Sequence, residues 1–201
     1  QVLKIIVGQG GGGARFAAVS GYLGSYTPLT YGGGGRSGSF VSGWEGYFSS
    51  GGGRSAIRLP NTNTDLATAG GGGGAAYGQC GFGGGGTTAS GPGTTGATQS
   101  AGGIGGTSGN NYPGTNGAAY LGGDSKDEGG GGGGGFFGGG GGGDNTGGGG
   151  GSSYIALLTN GSTTSGGNCG EAAATTGINF IVSYAENSAS SGTVPAENFV
   201  T

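Results

Sequence analysis

The sequence predicts a mostly β protein built around a packed array of polyglycine II helices, with little or no α-helix. Three observations predict it. Glycine fills 64 of 201 positions but does not recur at every third residue, which excludes a collagen triple helix. The glycines fall into short, nearly pure tracts, unlike the Gly/Ser mixtures of a flexible linker. The remaining apolar segments have strand length, and helix signals are almost absent. Low charge weighs against a disordered chain: only 7% of residues are charged and the net charge is -3.

Residues 2–7 (VLKIIV) form a compact apolar run of strand length. Residues 14–23 hold the one helix candidate, and Gly21, Gly24 and the β-branched and aromatic residues make it a poor one. Residues 39–41 (SFV) are a short strand candidate. Residues 57–59 (IRL) and 65–68 (DLAT) flank the turn PNTNT at 60–64, which predicts a hairpin. Two more strands are expected at 153–159 (SYIALLT) and 177–184 (GINFIVSY), the latter alternating Ile178, Phe180, Val182 and Tyr184 on one face.

Between these lie the glycine tracts 10–13, 32–35, 51–53, 70–74, 83–86, 129–135, 138–143 and 147–151. Glycine loses more conformational freedom on folding than any other residue, so ordering it needs compensation. Polyglycine II supplies it in principle. Such a helix has three residues per turn and a rise of about 3.1 Å, so a seven-glycine tract spans roughly 22 Å. Its N–H and C=O groups point sideways and bond to neighbours, helped by weak Cα–H···O contacts. One side chain inside a tract would force two helices apart, so the model demands purity. The chain divides into a glycine-rich domain at 1–160 and a C-terminal strand segment at 161–201, expected to pack on that domain or on a neighbouring subunit.

The motifs for chemistry are thin. Gly8, Gly10 and Gly13 after an apolar run imitate a dinucleotide-binding turn. That site needs a following helix and an acid about 20 residues on, and the first acidic residue is Glu45. Neither Lys4 nor Lys126 follows glycine, so no phosphate-cradling loop is present. With no histidine, serine–histidine and cysteine–histidine machinery and histidine-bound metals are excluded. Asp124, Asp127, Glu128 and Asp144 read as a solvated acidic turn, with a weak calcium loop or a carboxylate pair as the functional alternative. No catalytic, cofactor or metal site is expected, and the protein is not expected to be an enzyme.

Six scattered basic residues give no stripe for nucleic acid, and no window is apolar for long enough to span a membrane. Cys80 and Cys169 read as one disulfide in a secreted chain, the alternative being two separate buried thiols. Asn160-Gly-Ser is the sole glycosylation sequon. Trp44, Tyr47 and Phe48 form either a recognition patch or the cap of a strand layer. Gln1 and the absence of methionine suggest a processed mature chain.

Several segments, taken in order, resemble the glycine-rich extracellular domain of the anaplastic and leukocyte receptor tyrosine kinases. They are LKIIVGQGG (3–11), YGGGGRSGSFV (31–41), DLATAGGGGGAAYG (65–78), GNNYPGTNGAAYLGG (109–123) and GGGGGGGFFGGGGGGDNTGGGGGSSYI (129–155). The resemblance covers residues 3–158 and implies a polyglycine II array beside β-strands, which in those receptors contributes to binding a protein ligand. Glycine-rich tips of certain phage tail adhesins are similar in principle. The kinase part is not in these residues and the tail 171–201 is extra, so receptor identity and cytokine binding do not carry over.

The expected function is that of an extracellular or cell-surface structural protein, a rigid polyglycine block assembling into a filament or surface fibre. Apolar strands at the two ends would complete the sheet of a neighbouring copy. The alternative is an adhesin or ligand-binding module using loops 42–50, 87–101 and 107–128 on a polyglycine scaffold. Expected partners are therefore further copies of the chain, or a cell-surface protein or glycan.

Overall fold

A computed structural model describes residues 2–16, 27–38, 46–76, 79–93, 95–107, 112–126 and 128–167. Among them there is no α-helix, and the regular structure is a small amount of antiparallel sheet. Strands β1 (Lys4–Ile6), β4 (Ser55–Arg58) and β5 (Asp65–Ala69) form one sheet in the order β1-β4-β5. Strands β2 (Gly13–Phe16) and β3 (Gly46–Ser49) form a separate two-stranded ribbon.

The expected hairpin is present. β4 pairs antiparallel with β5 across the 60–64 turn, with Ile57 opposite Ala67 and Ser55 opposite Ala69. Asn61 has φ +59°, a left-handed conformation that asparagine tolerates better than most residues. β1 lies on the other side of β4, placing Ile5 opposite Ile57 and Ile6 opposite Ala56. The poor helix candidate at 14–23 begins as strand β2, paired through Ala14 to Phe48, in keeping with the expected scarcity of helix. One expectation is corrected. The run 153–159 is no strand: only Tyr154 bridges to Thr68, and residues 156–160 are turns and a bend. The strands expected at 39–41 and 177–184 lie outside the described residues.

Among the described residues the buried hydrophobic set is small: Ile6, Phe48 and five alanines. Most of the interior is glycine backbone. Residues 129–135, 138–143 and 147–151 are buried throughout, and their hydrogen bonds follow a single rule. Gly130, Gly133 and Phe136 donate to the carbonyls of Thr146, Gly149 and Ser152. Gly131 and Gly134 donate to Ser49 and Gly52 on a second side, and Gly132 to Gly123 on a third. These six bonds are 2.8–3.1 Å long. Donors three residues apart thus reach acceptors three residues apart on the same neighbour.

The rule repeats with the neighbouring segments running the other way. Gly138 and Gly141 donate to Ala118 and Thr115, while Gly139 and Gly142 donate to Gly133 and Gly130. Gly148 and Gly151 donate to Gly74 and Gly71, while Gly149 and Ser152 donate to Gly140 and Phe137. In 49–54, successive donors rotate through Ala75, Gly12 and Gly35, then Gly72, Gln9 and Gly32. A buried segment with three neighbours therefore leaves few backbone groups unmet, which is the condition for burying peptide at all.

Space enforces the same rule. A Cβ on Gly133 would run into the carbonyl of Gly71, one on Gly139 into that of Gly149, and one on Gly151 into that of Gly134. At the surface the constraint lapses, because nothing lies within 4 Å of a Cβ added to Gly10 or Gly13. Replacement Gly133→Ala should destabilise the protein by about 3 kcal/mol or more, because backbone cannot yield as a side chain does. Gly10→Ala should stay within about 0.5 kcal/mol of the parent. Urea melts of the two variants measure the contrast, and equal stabilities would refute the close-contact account.

Candidate functional site

Among the described residues the buried charged side chains gather at one joint. Asp65, at the start of β5, is 1% exposed. Its carboxylate accepts hydrogen bonds from Arg54 Nε at 3.2 Å, Arg58 Nε at 2.5 Å and Thr68 Oγ1 at 3.0 Å. Arg54 also donates from Nη1 to the carbonyls of Gly32 and Tyr120. Both guanidinium groups lie against the Tyr120 ring, 4.6 and 4.8 Å from its centroid. Tyr120 meets Phe136 edge-on, and Phe136 stacks on Tyr154 at 4.1 Å. This chain of contacts ties the β1-β4-β5 sheet to the glycine segments through the aromatics that interrupt them. Tyr120 has φ +67°, a conformation unusual for an aromatic residue, held by its ring contacts and by its hydroxyl on Asn63 O.

The joint is structural and has no free chemistry. Its one carboxylate is already shared by two arginines. The buried Nη2 of Arg58 has no hydrogen-bond partner but is attached to a guanidinium lying on the Tyr120 ring. Sequence patterning singles out neither Arg54 nor Tyr120. The alternation of Ser55–Arg58 with buried Ala56 and Arg58 would have placed Arg58 inward, had its acid partner been known.

The acidic turn likewise serves the fold. Asp124 Oδ1 accepts the backbone N–H of Arg36 at 2.7 Å, and Asp144 accepts from Asn145 Nδ2. Asp127 lies outside the described residues. Among the described residues, no three histidines, cysteines or acids gather as a metal site would require. Gln9, at the end of the nucleotide-like VGQ run, is a clamp. Its side-chain Oε1 accepts from Tyr31 N and its own N–H donates to Tyr31 O, at 3.0 and 2.9 Å. Gly8 and Gly11 press against the backbones of 53–54 and 50, so no helix follows to hold a phosphate.

Of the aromatics read as a recognition patch or as the cap of a strand layer, Phe48 is 1% exposed in β3 and belongs to the core. Trp44 lies outside the described residues, as does the side chain of Tyr47. Asn160 is exposed in a turn with φ +56°. Cys80 is half-buried beside an open groove of about 620 Å³, and Cys169 lies outside the described residues. Glycine, serine, alanine and glutamine make up the rest of that groove's described lining, which includes no charged side chain.

The strongest surface feature is β1 itself. Among the described residues it is the edge of its sheet, and Leu3, Ile5 and Val7 share one face by strand alternation. Their exposures are 39%, 59% and 70%, and Val2 on the other face is 75% exposed. Tyr31, also exposed, is tied to Gln9 just beyond this run. Comparison with protein-family models, curated proteins and solved structures finds no match to this chain. No helix among the described residues is long and apolar enough to cross a membrane.

Replacing Asp65 by alanine leaves two buried guanidinium groups without a counter-charge. The expected loss is about 3–5 kcal/mol, read as a lower midpoint in denaturant. Wild-type stability in Asp65→Ala would show that the joint does not hold the sheet to the array.

Proposed function

We propose that this chain is an extracellular, non-enzymatic structural protein: a rigid block of polyglycine II helices that joins further copies into a filament or surface fibre. The step of three in the backbone hydrogen bonds supports the polyglycine II reading, because that helix repeats every three residues. None of the glycines in 129–135, 138–143 or 147–151 has a positive φ, as a left-handed extended helix of this kind requires. The close approach at each bare Cα fits the same picture.

The observation that carries assembly is that β1, among the described residues, has a strand on one side only. Exposed apolar side chains on an unpaired edge strand are what monomeric proteins avoid and what strand-adding assemblies use. A strand from the next copy would cover Leu3, Ile5 and Val7 and satisfy the outer backbone groups of β1. Repeated head to tail, the contact gives an open polymer. A disulfide between Cys80 and Cys169 and a sugar on Asn160 fit the extracellular setting. The adhesin alternative ranks lower, since one of its three aromatic anchors, Phe48, is in the core.

Electron microscopy and sedimentation of the native protein test the proposal directly. Assemblies are expected for the parent chain. Ile5→Lys combined with Val7→Lys should leave monomers that melt within a few degrees of the parent, since both sites are exposed. A parent chain that stays monomeric at every concentration sinks the proposal.

A further inference from the structure

The chain contains the tripeptide Thr-Asn-Gly twice, at 115–117 and 159–161. Local sequence gives both the same intrinsic chemistry, because glycine after asparagine leaves the peptide nitrogen unshielded. The fold treats them differently. We propose that the Asn160–Gly161 peptide is a site of spontaneous covalent self-modification, forming aspartate and isoaspartate through a cyclic imide, while Asn116–Gly117 is protected. This holds whether or not the chain assembles.

In the reaction the Gly161 backbone nitrogen, after losing its proton to solvent, attacks Cγ of Asn160. The N–Cγ bond forms and the Cγ–Nδ2 bond breaks. The leaving nitrogen takes up a proton and departs as ammonia. Water then opens the five-membered imide at either carbonyl. One opening gives aspartate with a normal main chain; the other routes the main chain through the former side chain as isoaspartate, adding a methylene. No oxidant, reductant or cofactor enters.

Two conditions must be met. The peptide N–H must be free to lose its proton, and the carboxamide must be free to turn toward it. At the first site neither holds. Gly117 N–H donates to Gly103 O at 2.8 Å, and Asn116 Oδ1 accepts Gly105 N–H at 2.8 Å. A Cβ on Gly117 would meet the carbonyl of Gly138, so backbone also closes over the peptide. At the second site both hold. Asn160 and Gly161 are exposed, and among the described residues neither the Gly161 N–H nor the Asn160 carboxamide has a hydrogen-bond partner. The atoms nearest a Cβ on Gly161 are side-chain carbons of Leu158 and Ile155, at 3.0 and 3.3 Å.

The product adds a negative charge to a chain already at -3. It also changes the main chain just before 164–166. That segment lies along 84–86 through Gly86 N–H to Thr164 O at 3.1 Å and Gly166 N–H to Gly84 O at 2.7 Å. A sugar on Asn160 would block the reaction, since Nδ2 is the leaving atom.

The test uses the intact chain, confirmed by mass to carry no sugar, held folded in mildly alkaline buffer. A parallel sample is denatured. Peptide mapping follows amide-to-acid conversion at both asparagines, and isoaspartyl methyltransferase labelling identifies the isomer. In the folded chain Asn160 should convert roughly thirtyfold faster than Asn116, the effect of two hydrogen bonds that must open first. The two should convert at the same pace when denatured. Asn160→Gln should abolish the fast conversion. Equal rates in the folded chain, a faster Asn116, or no reaction at Asn160 while the denatured sample converts would each overturn the proposal.

Discussion

A bare Cα is the constraint on which this molecule depends. Each buried glycine segment lies so close to its neighbours that their carbonyl oxygens occupy the places where Cβ atoms would be. That closeness lets the N–H groups of 130–134 reach three different neighbours in turn. The same feature answers the entropic objection to a glycine-rich fold. Ordering glycine costs more than ordering any other residue, and little apolar side-chain area is on offer in return. The interior instead offers nearly complete backbone pairing in a place without water, where an unmade hydrogen bond would be expensive.

A structure held this way needs side chains only at its seams. Aromatics interrupt the tracts where glycine segments meet the sheet, and Phe136 stacks there on Tyr154 while meeting Tyr120 edge-on. Asp65 draws in Arg54 and Arg58, and their guanidinium groups lie on the Tyr120 ring. Breaking such a buried charge group by removing one partner is costly even where forming it gains little. The joint therefore fixes orientation between sheet and array more than it adds stability. Serines take a similar role at segment ends. Ser50 Oγ accepts Gly12 N–H, and Ser152 Oγ donates to Thr98 O, replacing backbone partners where the step of three runs out.

Much of this was legible because glycine purity is a local property. Each tract announces its requirement residue by residue, and the PNTNT turn announces the β4–β5 hairpin in the same way. What failed depended on distant partners. The run 153–159 is apolar enough for a strand, yet only Tyr154 finds an edge to bridge, at Thr68. The glycine- and serine-rich stretch around Phe48 left it open between a recognition patch and the cap of a strand layer. Pairing with Ala14, more than thirty residues earlier, makes it part of β3 and turns it inward. Local sequence could set aside the nucleotide turn, since the helix and acid it needs are missing, but it could not show what Gln9 does: its clamp on Tyr31 is set by a segment 22 residues away. The candidate site was half legible: the apolar run at 2–7 and its capacity to serve as an edge were visible, but the pairing with β4 that leaves Ile5 outward was not.

The open edge and the glycine array impose opposite demands, and this bears on the proposed assembly. The array satisfies itself inward, so growth of the object by stacking more glycine segments would need a second chain to offer equally bare backbone. β1 imposes no such demand. An incoming strand needs only ordinary backbone geometry and side chains that pack on Leu3, Ile5 and Val7, and apolar cover of this kind contributes about 25 cal/mol per Å² removed from water. Strand addition also leaves the close contacts of the array untouched, since among the described residues β1 pairs with β4 and the chain just beyond it is held by the Gln9 clamp. A core whose close contacts leave no room for side chains and a flank that can accept a partner are thus separated in the structure. In the proposed fibre the glycine array sets stiffness and the edge strand sets connection, so the connection can change without disturbing the array.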